Sequence, residues 1–143
     1  MIPMQVRLWG TVRTLSRENR EKMPGLLQEI SSAAAAAHGC KATVKYTPSY
    51  PVLVNDPKAV RRVHDAGEKV FGNREQVRLQ ERTRMGAEDF AYYLEKIPGA
   101  IVWLGIKNPA KGIVHSGHHP CFDADESAFV NGVALFCGLA LTN

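Results

Sequence analysis

A chain of 143 residues, 45% of them apolar and 22% charged, fits one ordinary domain or two small ones and has the composition of a soluble globular protein. Its formal charge of +4 is dispersed, with no aromatic platform interleaved among the basic residues, which argues against a nucleic-acid partner. No apolar run reaches the roughly twenty residues of a membrane span, and the start lacks a cationic segment followed by an apolar one, so a cytoplasmic address is expected by default.

Val6, Leu8 and Val12 alternate with Arg7, Thr11 and Arg13, the period of a strand with one buried face, broken only at Trp9. Ser16 is a candidate N-cap for a helix whose Met23, Leu26, Leu27, Ile30, Ala34 and Ala37 repeat at three and four. Pro24-Gly25 predicts a kink or restart near Met23, because an interior proline removes a hydrogen bond at a cost of about 3 kcal/mol. His38-Gly39 is a natural stop, and His38 reads as a helix-end residue. Ala42, Val44 and Tyr46 then alternate with lysines and a threonine, predicting a second half-buried strand. Such a strand–helix–strand unit covers one sheet face only. The two prolines of Thr47-Pro48-Ser49-Tyr50-Pro51 hold that stretch extended and place a boundary there.

Asp56 followed by Pro57 opens a second helix, with Val60, Val63, Val70 and Phe71 as its buried stripe and Gly72-Asn73 as its end. His64 lies beside that stripe and reads as a partly exposed helix residue. A short strand is predicted around Val77 to Leu79. Glu88 and Asp89 precede a short helix whose Phe90, Tyr93, Leu94 and Ile97 are expected to face the core. Acidic residues there are explained equally by stabilisation of a helix start, worth about 0.3 to 1 kcal/mol each, and by a catalytic role. Ile101 to Leu104 is a continuous apolar run, as in a strand covered on both faces. The terminal helix over 125–141 is expected to bury Phe129, Val133, Phe136 and Ala140, with Leu135 and Leu139 broadening its apolar surface.

Three of the five histidines fall between His115 and His119. His118-His119-Pro120 stops a helix, so this is a loop at a strand's exit, where functional side chains concentrate. Clustered histidines also serve as solvated loop residues, and a catalytic zinc usually takes three protein ligands and a water, more than adjacent side chains supply. Asp123 and Glu126, three apart before an apolar run, predict a capping box that fixes the loop to the last helix. Cys40, Cys121 and Cys137 lack Cys-x-x-Cys spacing and are expected as reduced thiols. Ser116 is no evidence for a nucleophile, and no Walker loop, Gly-x-Ser-x-Gly elbow or dinucleotide fingerprint is present.

The order of these stretches carries a resemblance. Gly10-Thr11-Val12-Arg13-Thr14, then Tyr50 to Pro57, Met85 to Phe90, Pro98-Gly99-Ala100 and His118-His119-Pro120-Cys121-Phe122-Asp123 closely resemble the M20 family of metallopeptidases, nearest to its hippurate and auxin-conjugate hydrolase branch. The resemblance implies an α/β fold: residues 1–48 as part of a ferredoxin-like βαβ lid that often dimerises, and residues 49–143 as the C-terminal portion of a zinc-peptidase-like α/β catalytic domain. It implies a divalent metal cofactor (Zn, Mn, Co or Ni) in the complete enzyme, with a chain of this extent able to lack it, and N-acyl amino acids or peptides as substrates.

By the same resemblance His118, two before the proline, is a metal ligand, with His115 and His119 as less favoured neighbours. Glu88 falls in a family element near the active site and is a catalytic candidate, although Ala87 stands where serine is common. Arg13 is a substrate-binding candidate near the cleft, or alternatively a salt-bridging strand residue. Asp123 and Glu126 would fix the loop, or Asp123 would orient the ligand imidazole. The implied chemistry is amide hydrolysis: a bridging water, acidified by two bound ions, loses its proton to a glutamate and attacks the carbonyl, and the glutamate returns the proton to the leaving amine. The family places its other ligands and that glutamate in an N-terminal half outside this sequence. The chain is therefore expected to be inactive alone, and to be a homo-oligomer or a subunit completed by the missing half; the alternative is a non-catalytic association module.

Overall fold

Ser16 begins the first helix as its residue type predicts: its backbone is extended and its hydroxyl oxygen accepts from the Asn19 N–H. In the computed structural model, which describes residues 2–142, helix α1 spans Arg17–Ala37. Pro24 lies inside it, so the expected restart near Met23 does not occur. The lost bond at Pro24 is offset by Ser16, by the Arg17–Glu21 and Glu18–Lys22 ion pairs one turn apart and by the alanine run at its end. His38 caps the other end, its N–H meeting the carbonyls of Ala35 and Ala36.

Helix α2 spans Pro57–Phe71. Asp56 caps it by accepting from the N–H groups of Lys58 and Ala59 at 2.9 and 2.8 Å, and Gly72 ends it in the left-handed conformation at φ 67°. A short helix α3 spans Phe90–Leu94 and the terminal helix α4 spans Phe129–Leu141.

No ladder forms among the described residues. The stretches expected as strands, 5–13, 42–46, 77–79 and 101–104, lie outside the helices, and the isolated antiparallel bridge observed joins Asn108 to Ile113. The βαβ unit expected for residues 1–48 is therefore a single helix flanked by extended chain. The physical reason is visible in the substitutes for a neighbouring strand. The Val44 N–H donates to the side-chain oxygen of Gln28 on α1, and the side-chain amide of Asn55 brackets Ile101, accepting from its N–H at 3.0 Å and donating to its carbonyl. The strand period nevertheless survives in exposure, with Ala42, Val44 and Tyr46 half-buried and Lys41, Thr43 and Lys45 exposed.

The described chain gathers into two compact units. One comprises the residues up to Leu53 with Arg82–Tyr93. Here α1 is tied to the Pro48 stretch by Arg20, which donates to the Ser49 carbonyl, and Tyr50 meets Tyr92 edge-on at 5.8 Å. The other comprises Val54–Glu81 and the chain from Leu94 onward, with α2 packed against α4.

The α2–α4 contact is made by small residues. A methyl added at Gly138 would lie 2.5 Å from Val70 Cγ2 and 3.9 Å from Ala66 Cβ, while Gly67 of α2 instead meets the chain beyond that helix, where an added methyl would lie 2.2 Å from Val77 Cγ2. Ala66 is completely buried. This close approach turns α4 away from its expected main stripe and toward the flank that carries Leu135 and Leu139. Gly132, Leu135, Gly138 and Leu139 face inward, whereas the supposed core stripe of Phe129, Val133, Phe136 and Ala140 is exposed, Phe136 by 76%. An apolar helix with two usable faces shows its smaller-residue face to α2 because that face permits the backbones to approach.

Candidate functional site

The histidine loop is built on a buried carboxylate. Asn108 and Ile113 exchange both backbone hydrogen bonds around the Pro109–Lys111 turn, and Gly112 closes that turn at φ 75°. Asp125, 8% exposed, accepts from the Asn108 side-chain amide at 2.6 Å, from the Lys111 ammonium at 2.7 Å and from the Ser127 hydroxyl and N–H, while its own N–H donates to the Ile106 carbonyl. These donors, Asn108 foremost and then Lys111 and Ser127, hold its carboxyl far below the usual carboxylate range. One side chain therefore joins the chain before the histidines to the start of α4.

The cap thus falls on Asp125, two residues after the Asp123 of the expected capping box. Asp123 accepts only from the N–H of its own neighbour Ala124 among the hydrogen bonds of the described residues, and Glu126 occupies the first turn without the reciprocal bond such a box requires. Sequence reasoning passed over Asp125. The signal was there in a weaker form, since Asp-x-Ser is itself an N-cap pattern, but Asp123-x-x-Glu126 fitted the longer motif.

Beyond this clasp the loop folds on itself. The His119 N–H reaches the Ser116 carbonyl at 3.2 Å and the Phe122 N–H the His119 carbonyl at 2.9 Å, with His118 between them at φ 70°, a left-handed value that few non-glycine residues adopt. His115 and His119 stack with ring centroids 3.9 Å apart and planes 4° from parallel, and Nδ1 of His119 accepts from the Cys121 N–H at 3.0 Å. All three histidines and Cys121 are exposed. Among the described residues, His115, His119 and Cys121 form the group of three whose ligand-type atoms lie within 4.8 Å of one another. It contains no carboxylate, and His118 is outside it.

The other candidates are placed elsewhere. Glu88 is half-buried, and its carboxylate accepts from the Phe90 N–H at 3.5 Å, the geometry of helix-start stabilisation. Arg13 is exposed on the extended segment before α1. Both belong to the unit that holds α1, and His118 to the unit that holds α4. His64 is half-buried on α2, its Nδ1 without a partner. As a test of fit to a two-metal centre, the loop offers imidazole donors and brings no carboxylate to them, so it can supply only part of such a donor set. No helix among the described residues is long and apolar enough to cross a membrane.

Comparison with known proteins places the chain in a family. The model of peptidase family M20/M25/M40 matches residues 6–142. The chain is 33% identical to N-acetylcysteine deacetylase of Bacillus subtilis over 99% of its own length and 35% of that protein's. It is 28% identical to IAA-amino acid hydrolase ILR1-like 4 of Arabidopsis thaliana over 98% of its own length and 32% of that protein's. Among solved structures, the YXEP protein of Bacillus subtilis, described as a dinuclear metal binding peptidase from the M20 family, matches with a TM-score of 0.72 at 31% identity, over 89% of this chain and 33% of that one. The chain thus spans about a third of the length of these relatives.

Proposed function

The chain belongs to peptidase family M20/M25/M40, and we propose on that premise that it forms the C-terminal portion of a metal-dependent amidohydrolase acting on the amide bond of N-acyl amino acids or small peptides. Residues 1–48 then contribute to a lid and residues 49–143 to the catalytic α/β domain. His118 supplies one imidazole to the metal centre. The remaining ligands and the general base come from a separate segment of polypeptide, and this chain is inactive without it. When bound, the divalent ions (zinc, manganese, cobalt or nickel) supply acidified water and a polarised carbonyl.

The observation that carries this reading is the family match across residues 6–142 with the His118-x-Pro120 motif intact. The architecture supports it: Asp125 holds the loop's base, so His118 is presented from a fixed frame. The bare Phe129, Val133 and Phe136 stripe on α4 is the face the absent part of the domain would cover. Arg13 and Glu88 lie at the cleft of the completed domain, and the Glu88 contact with the Phe90 N–H favours end stabilisation over proton transfer.

The test is complementation. The purified chain is assayed on N-acyl amino acids with each of the four metals, alone and mixed with the N-terminal two-thirds of a relative such as the Bacillus subtilis deacetylase. No turnover alone, turnover on mixing, and its loss with His118→Ala are expected; substantial turnover by the chain alone overturns the reading. A second reading, a non-catalytic association module, is favoured by the same exposed α4 stripe. It predicts a homo-oligomer in sedimentation that Phe136→Glu dissociates and that the N-terminal polypeptide does not displace.

A further inference from the structure

The family role of His118 leaves unused the donor set that the loop gathers. His115, His119 and Cys121 converge because the Ser116–His119 turn brings residue 115 back over residue 119, and the Phe122 turn brings Cys121 to the same side. We infer that these three residues form a mononuclear site for a thiophilic divalent transition-metal ion, completed by water and filled by this chain without any partner. Two imidazoles and a thiolate are a zinc-type set, and three protein ligands with an open fourth position suffice for tetrahedral coordination.

The geometry requires a small adjustment. Bonds of about 2.0–2.3 Å in a tetrahedron place ligand atoms roughly 3.3–3.8 Å apart, so the present spread within 4.8 Å closes by about 1 Å. Parallel stacked rings aim their lone pairs side by side, so the His115 ring turns about its Cβ–Cγ bond to converge on the ion. His115 is exposed, and this costs only rotamer freedom. His119 is already oriented. Because its Nδ1 accepts from the Cys121 N–H, that atom bears a lone pair rather than a proton, and the lone pair is directed toward Cys121. The ion takes over that lone pair and the exposed amide passes to water. The Cys121 thiol loses its proton to solvent on binding, so uptake is accompanied by proton release.

The experiment titrates the full chain, kept reduced by a non-thiol reductant, with cobalt(II). One ion per chain is expected, with thiolate-to-cobalt charge-transfer absorption in the near ultraviolet, visible bands of four-coordinate intensity, and displacement by zinc. His118→Ala should leave this titration within about twofold, and Cys40→Ser and Cys137→Ser likewise. Cys121→Ser should abolish the charge-transfer band. His115→Ala and His119→Ala should weaken binding by about 100-fold or more, since even loss of a ligand's outer partner costs 10–100-fold. Three results overturn the inference: equal loss in His118→Ala, which puts the ion at the family ligand; half an ion per chain with concentration-dependent association, which makes it a bridge between copies; or a band that survives Cys121→Ser. The inference is independent of the proposed hydrolase role, because activity in the complemented enzyme depends on His118 and this titration does not.

Discussion

In the unit that holds α2 and α4 the chain satisfies itself: small residues let the helices touch, Asp56 and Asp125 cap what they open, and Asn108 and Ile113 pair. In the unit that holds α1, the segments before and after that helix carry a strand's period in their sequence and have no strand beside them among the described residues. Val6, Leu8 and Trp9 are exposed by 69%, 90% and 84%. A helix meets its backbone hydrogen bonds within a few residues, whereas a strand needs a neighbour that can lie anywhere in the chain. The described residues accordingly complete their helices and caps by local bonds and form no ladder.

The largest effect that tests this contrast is amide exchange. In the chain alone, amides at 5–13 and 42–46, apart from that of Val44, which donates to Gln28, should exchange about a hundredfold or more faster than those of α2 and α4 at their contact, since unpaired segments open at almost no cost. Adding the N-terminal portion of a relative should slow the first group selectively. Equal protection in both regions of the isolated chain would break the contrast outright.

Steric substitutions sharpen it next. Gly67→Val must displace Val77, whose Cγ2 would lie 2.2 Å from the new Cβ, and should destabilise by about 1–3 kcal/mol through overpacking. Gly10→Val meets nothing within 4 Å and should stay within about 0.5 kcal/mol. Denaturant midpoints of the two variants measure the difference, and an equal cost at both glycines would mean that the extended segment is packed after all.

What could be read in advance divides along the same line. Ser16, Asp56 with Pro57, His38 and Gly72 announced helix ends correctly, because each acts on N–H or carbonyl groups within three or four residues. Of the kink or restart expected at Pro24, the restart does not occur, since the helix ends and ion pairs outweigh one missing bond. On α4 the contribution of Leu135 and Leu139 was legible, whereas Phe129, Val133, Phe136 and Ala140 were misplaced in the core, because the sequence is apolar on both sides and only the Gly138–Val70 approach decides which side packs. In the loop, the clustering of histidines was plain, but the three residues that actually meet depend on turns at Ser116 and His119 that no spacing rule encodes.

Acid should separate the regions more gently. Asp125 has a folded carboxyl value below its unfolded one, so the charged form favours the fold. Its contribution is complete above the ordinary carboxylate range and is lost as pH falls through that range toward the depressed value. The stability difference between wild type and Asp125→Asn should therefore be largest near neutrality and vanish in acid. Chemical-shift dispersion of the histidine-loop amides, followed from pH 7 downward in both proteins, checks it. A difference that grows toward acid has the wrong sign for this clasp.

The smallest effect concerns the cap of α1. Ser16→Ala removes the acceptor for the Asn19 N–H, 3.1 Å away, and should cost about 1 kcal/mol. Asp56→Ala removes an acceptor shared by two N–H groups, and its local cost should be of similar size. The consequences should differ, however. Helix α1 has no buried residue and relies on local terms, so losing the cap should fray its first turn, visible as reduced helical ellipticity at neutral pH. Helix α2 is held by Ala66 and Gly67 against their neighbours and by the Asp56 N–H on the Gly99 carbonyl, so Asp56→Ala should lower the denaturation midpoint while leaving the native helix signal nearly intact. Ser16→Asp, which restores an acceptor and adds a favourable charge at the helix start, should recover the ellipticity that Ser16→Ala loses.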